Sequence, residues 1–112
     1  MSIASKIIIV DDEVRFLDSQ KILLETEGYS VETAFSGIDA IQMFQEQRFD
    51  LYIFDINMPE MNGFQLMEAV FRLDAEAFIV IMTGDVSVDS AVRSMKLGAC
   101  DYLKKPFNMK TS

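Results

Sequence analysis

Short apolar runs without a polar break recur in this chain as Ile7-Ile8-Ile9-Val10, Leu51-Tyr52-Ile53-Phe54 and Phe78-Ile79-Val80-Ile81-Met82. A strand covered on one face alternates apolar and polar residues. One covered on both faces reads as an unbroken run of this length, so these runs call for a sheet buried on two sides. Weaker strands are expected at residues 30–34 and 100–103, which makes five. Between the runs the apolar spacing is helical. Residues 13–27 repeat Phe16/Leu17 as Leu23/Leu24 and stop at Gly28, and further helices are expected at residues 37–47, 63–73 and 86–97, the last stopped by Gly98. Strands alternating with helix-length crossovers predict an α/β domain with a doubly wound parallel sheet.

The chain has 112 residues, half of them apolar and a quarter charged, which suits one domain with its own core. A net charge of −8 argues against nucleic acid and anionic membrane as direct partners and favours proteins or cations. No segment approaches the ~18 apolar residues of a membrane span, and the first apolar run ends on two aspartates, unlike a signal peptide; the cytoplasm is the expected compartment. Cys100 is alone, which removes disulfides and cysteine metal clusters, and a small core-filling role is expected for it. Without histidine, chemistry must run on Asp, Thr, Lys or Tyr.

Open α/β folds place their sites beyond the C-terminal ends of the strands, and the reactive groups cluster at those points in the sequence. Asp11 and Asp12 follow strand one, Asp55 follows strand three, Thr83 follows strand four and Lys105 follows strand five. Each has an ordinary reading: Asp12 as a helix cap, Asp55 and Thr83 as turn formers, Lys105 as a solvated charge. Together those readings weaken, because three carboxylates crowded at one rim need positive compensation, which a cation and Lys105 would provide. The hard-oxygen donor set favours Mg²⁺. A divalent ion, a carboxylate nucleophile, a hydroxyl and a lysine are the parts phosphoryl transfer uses, with Asp55 central.

The motifs Asp11-Asp12, the run from Asp55 through Asn57-Met58-Pro59 to Gly63, Thr83-Gly84, and Asp101-Tyr102-Leu103-Lys104-Lys105-Pro106-Phe107 resemble the receiver domain of bacterial two-component response regulators, over nearly the whole chain. The resemblance implies a flavodoxin-like sheet of order 2-1-3-4-5 and a single receiver domain over residues 1–112. It implies that Asp55 is the phosphoacceptor and that Asp12 and Asp55 bind Mg²⁺, with Asp11 assisting through water and the backbone carbonyl of Asn57 completing the shell. The Lys105–Pro106 peptide is expected to be cis, and Lys105, which directly precedes Pro106, would hold a phosphoryl oxygen. Thr83 would hold another, and Tyr102 would change its burial with it, altering the surface of the fourth helix and fifth strand. Asn57 and Asp85 would set the phosphoryl lifetime. The domain would act as a switch that supports its own phosphorylation and dephosphorylation rather than as a turnover enzyme.

The expected partners are a sensor histidine kinase or phosphotransfer protein, an output domain beyond the C-terminus, and a second copy of the chain. Only Asn108 to Ser112 follow Phe107, so the fifth helix is expected to be truncated or absent. Residues among Phe78, Ile79, Val80, Ile81 and Met82 should then lose cover, and the chain should self-associate or be less stable than an extended version. Two rivals fit less well. An aspartate-nucleophile phosphatase needs an acid two residues after Asp55, where Asn57 stands, and a flavin or nucleotide module would not put Asp11-Asp12-Glu13 against a phosphate. A receiver-like module that is never phosphorylated stays open.

Overall fold

In a computed structural model the chain is described over residues 5–105. The elements run β1 (Lys6–Val10), α1 (Val14–Thr26), β2 (Ser30–Ala34), α2 (Gly37–Glu46), β3 (Leu51–Asp55), α3 (Gly63–Leu73), β4 (Ile79–Thr83), α4 (Val88–Leu97) and β5 (Asp101–Lys104). The five strands form one parallel sheet in the order β2-β1-β3-β4-β5, as expected. The Lys105–Pro106 peptide and the segment where a fifth helix would stand lie outside the described residues.

Alternation along the strands divides the core in two. Ile8, Val10, Tyr52, Phe54, Ile79 and Ile81 point to one face, where they meet Phe44 of α2 and Phe64, Leu66, Met67 and Val70 of α3. Ile7, Ile9, Val31, Ile53 and Met82 point to the other and meet Leu17 and Leu24 of α1. Both faces of β1 and β3 are therefore apolar, which is why their sequences lack alternation. Of the residues expected to lose cover, Ile79, Ile81 and Met82 are fully buried, Val80 is half-buried, and Phe78 stands exposed outside β4.

Helix starts follow local chemistry. Ser36 accepts from the Asp39 N–H at 3.2 Å, and Asn62 and Gln65 exchange side-chain and backbone bonds in a capping box. The fourth helix begins at Val88 and not at residue 86, because Ser87 accepts from the Ser90 N–H and takes the cap position. It ends at Gly98, whose φ of 111° is left-handed backbone that glycine adopts without strain. Helix α4 is thinly attached: Ser94 is its one fully buried residue, while Val88, Val92 and Met95 are exposed. Arg93 stacks over the Phe64 ring of α3 at 4.2 Å.

The core-filling role expected for Cys100 is not observed. Ala99 takes the buried position after the Gly98 turn, and Cys100 comes out exposed ahead of β5, tied in through its N–H to the Ile79 carbonyl. Among the described residues no helix is long and apolar enough to cross a membrane.

Candidate functional site

The carboxyl ends of the strands bring the expected residues to one rim. Asp11 and Asp12 leave β1, Asp55 ends β3, Thr83 ends β4, and Lys105 follows β5. Ligand oxygens of Asp11, Asp12 and Asp55 all lie within 4.8 Å of one another. Asp11 and Asp55 are buried and Asp12 is exposed. The Lys105 ammonium stands 2.8 Å from Asp11 Oδ2, 2.9 Å from Glu13 Oε1 and 3.5 Å from Asp55 Oδ2, above the Phe16 ring. Its backbone N–H is held by the Thr83 carbonyl at 2.8 Å, which fixes the exit of β5 beside β4.

The turn-forming and the functional readings coexist at Asp55 and Thr83, and Asp11 forms a turn of the same kind. Asp11 Oδ1 accepts from the Glu13 N–H at 2.9 Å, Asp55 Oδ1 from the Asn57 N–H at 3.3 Å, and Thr83 Oγ1 from the Asp85 N–H at 3.2 Å. In each case a side-chain oxygen turns the chain by binding the amide two residues on. For each aspartate this orients the carboxylate and leaves its second oxygen facing the rim. The cap reading of Asp12 does not hold: Glu13 occupies the cap position of α1, and it makes no side-chain cap bond.

Burial pushes the Asp11 carboxyl above the usual carboxylate range, and Lys105 only partly offsets it. Burial also raises Asp55, with the Asp11 charge adding to it and Lys105 opposing. Burial would lower the Lys105 ammonium, but its contacts to Asp11 and Glu13 outweigh that and hold it above its ordinary value. Asp11 Oδ2 is buried and is balanced by its 2.8 Å ion pair with Lys105.

Tyr102 is not in the carboxylate cluster. It is half-buried on the α4 side of the sheet, and its hydroxyl accepts from the Ser87 N–H at 3.4 Å, the residue that caps α4. Asn57 and Asp85 are exposed at the rim. Two contributors were missed in the sequence, Glu13 and Phe16, which hold Lys105 from the α1 side. The signal for Glu13 was its place as a third acid after Asp11-Asp12; an isolated glutamate before a helix otherwise reads as a solvated charge.

Gly63 lets α3 rise directly beneath the site. A Cβ there would stand 2.6 Å from the Asp55 backbone carbonyl oxygen, too close for any adjustment short of moving the strand end. Gly63→Ala is expected to cost ~1–3 kcal/mol, the usual range for overpacking. Urea melts check this, and an unchanged midpoint would mean that the α3 start moves freely relative to Asp55.

The sequence model for the response regulator receiver domain matches residues 7–111. The transcriptional regulatory protein ZraR of Salmonella typhimurium is 40% identical over 102 residues, which are 91% of this chain and 23% of that protein. The chain thus spans about a quarter of the length of this curated relative. A CheY-like receiver domain from Methanospirillum hungatei superposes with a TM-score of 0.91 at 36% identity, covering 97% of this chain and 87% of that one. A Burkholderia pseudomallei response regulator whose crystal structure holds a phosphorylated aspartic acid and a calcium ion superposes at 0.89 with 28% identity, over 96% of this chain and 63% of that one. With the sheet order, the rim of carboxylates and the family model agreeing from the first strand to beyond Lys105, the chain belongs to the response regulator receiver domains.

Proposed function

We propose that this receiver domain, spanning residues 1–112, is switched by a phosphoryl group that Asp55 takes from a phosphohistidine of a sensor kinase or phosphotransfer protein. The observation that carries the reading is the setting of Asp55: a buried carboxylate at a strand end, among two further carboxylates and 3.5 Å from an ammonium. One Asp55 oxygen attacks phosphorus, a P–O bond forms, and the P–N bond to the donor imidazole breaks, leaving that nitrogen to be reprotonated. Lys105 would then hold a phosphoryl oxygen. The domain supports this transfer and the later hydrolysis of the Asp55 phosphoryl group, in which water forms a new P–O bond and inorganic phosphate leaves, and it does not turn over a substrate.

The donor set fits Mg²⁺. It consists of oxygens alone, with ligand atoms of Asp11, Asp12 and Asp55 within 4.8 Å of one another. Asp12 and Asp55 would hold the ion, Asp11 would act through water, and the Asn57 carbonyl would complete the protein's share. When bound, Mg²⁺ supplies positive charge to the phosphoryl oxygens.

A phosphoryl oxygen would take the Thr83 hydroxyl proton while the Asp85 N–H still donates to that hydroxyl, so a shift of Thr83 toward the phosphoryl group would carry the Asp85 turn with it. Tyr102 lies on the adjacent strand, with Thr83 paired to Lys104, and its hydroxyl holds the cap of α4. Rearrangement at Thr83 therefore has a short route to the α4–β5 surface, which would meet a partner, an output domain or a second copy. Asn57 and Asp85 flank Asp55 and Thr83 at the rim and would set how long the phosphoryl group lasts.

Incubation with acetyl phosphate and Mg²⁺ tests the reading by intact mass, with amide spectra recorded alongside. The expected result is one phosphoryl adduct per chain and shifted amides between residues 80 and 103. No adduct under conditions that phosphorylate a known receiver would overturn phosphorylation. An adduct with unmoved amides would overturn the route through Tyr102.

A further inference from the structure

Lys105 is held mostly from the α1 side. Its ammonium has three protons to donate. Its two short contacts go to Asp11 Oδ2 at 2.8 Å and Glu13 Oε1 at 2.9 Å, while Asp55 Oδ2 is farther, at 3.5 Å. The Phe16 ring, 4.8 Å from the ammonium, adds a cation–π contact from the same helix.

Asp11 is fixed in this arrangement: it is fully buried, and its other oxygen is tied to the Glu13 N–H. The Glu13 side chain differs. It is 65% exposed and makes no cap bond to α1, although it stands at the cap position. Its carboxylate is thus a solvent-exposed counterion whose described hydrogen bond goes to Lys105.

We infer that Glu13 is a positioning residue that draws the Lys105 ammonium toward α1, so that a phosphoryl group on Asp55 must compete with Glu13 for it. The inference rests on the phosphoacceptor reading of Asp55 and adds a regulator of the same site. A phosphoryl oxygen growing on Asp55 needs an ammonium proton, and the contact that gives way at least cost is the exposed one. Releasing Glu13 returns its carboxylate to water, whereas releasing Asp11 would strand a buried charge. Glu13 therefore sets part of the cost of the phosphorylated state, and it does so through Lys105.

The test is a double-mutant cycle read as the affinity for beryllofluoride, a phosphoryl mimic, by NMR titration at saturating Mg²⁺. The four proteins are the unsubstituted chain, Glu13→Gln, Lys105→Ala and the double variant. Glu13→Gln should bind beryllofluoride about two- to fivefold more tightly, the scale of a partly exposed ion pair. In the Lys105→Ala background the same substitution should yield less than half of that gain. An equal gain in both backgrounds would overturn the inference, because Glu13 would then act only as a distant negative charge; so would no gain in the unsubstituted background. If the Lys105→Ala proteins bind too weakly to titrate, the Lys105 ammonium resonance decides. It must move on Glu13→Gln before any ligand is added, and an unmoved resonance overturns the inference. No beryllofluoride binding by the unsubstituted chain would instead overturn the phosphoacceptor reading, and this inference with it.

Discussion

Asp55→Asn should take up no phosphoryl group at all and should at the same time be more stable than the unsubstituted protein at neutral pH. The first effect follows from chemistry: an amide oxygen at Asp55 is no nucleophile, and Asp11 and Asp12 sit on β1's exit rather than at the end of β3. The second follows from electrostatics. Burial raises the carboxyls of Asp55 and Asp11, and each is further opposed by a neighbouring carboxylate. An acid whose folded pKa lies above its unfolded value binds its proton more tightly when folded. Its contribution to stability is complete below the unfolded pKa and is lost as pH rises through the folded one. Without metal, the protein should therefore lose stability as pH rises above the usual carboxylate range, and Asp55→Asn should remove part of that loss. Lys105 keeps its two closer partners in the variant. A gain on the order of 1 kcal/mol would raise Tm by about 4 °C in a domain of this size. Intact mass after acetyl phosphate treatment reads the first effect, and thermal melts across that pH range without metal read the second. An adduct on the variant would move the acceptor elsewhere, and a lower neutral Tm would mean that the Asp55 charge is stabilising in place.

Mg²⁺ should produce the other large effect, restoring at neutral pH the stability that the crowded carboxylates cost. A ligand bound by the folded state alone adds about 2.7 kcal/mol at a hundred times its Kd. That corresponds to a rise in Tm of about 10 °C or more. Asp12→Asn should lose most of the rise without harming the fold, since Asp12 is exposed and caps nothing. Chelation should likewise abolish the phosphoryl adduct. A melt unchanged by Mg²⁺, a rise that survives Asp12→Asn, or an undiminished adduct after chelation would each remove the ion from the site.

Much of this architecture is legible in the sequence because parallel strands leave a coarse trace. Ile7-Ile8-Ile9-Val10 needs cover on both faces, and it receives α1 on one and α2 with α3 on the other. The rim residues are legible for a related reason, since a strand's end marks where its next side chain must go. What escapes is decided either by a local cap or turn that overrides the apolar spacing or by a neighbour far along the chain. Cys100 looked like core because small sulfur-bearing residues usually are, yet the Gly98 turn gives the inward place to Ala99. Glu13 escaped as a contributor because its partner lies 92 residues away. The start of α4 was misplaced by two residues because Val86 continues the apolar spacing, whereas the Ser87 cap overrides it.

The thin attachment of α4 bears on how strong an input must be to be felt. Turning a population from 1:99 to 99:1 takes about 5.5 kcal/mol of differential binding. A phosphoryl group makes only one to three new charge-assisted bonds. Such a sum would be lost against an element locked by a full apolar stripe. Here the stripe of Val88, Val92 and Met95 faces outward and Ser94 alone is fully enclosed, so few contacts oppose a rearrangement. If α4 is the part moved in the proposed switch, its gain would reside less in the strength of the input than in the lightness of that part.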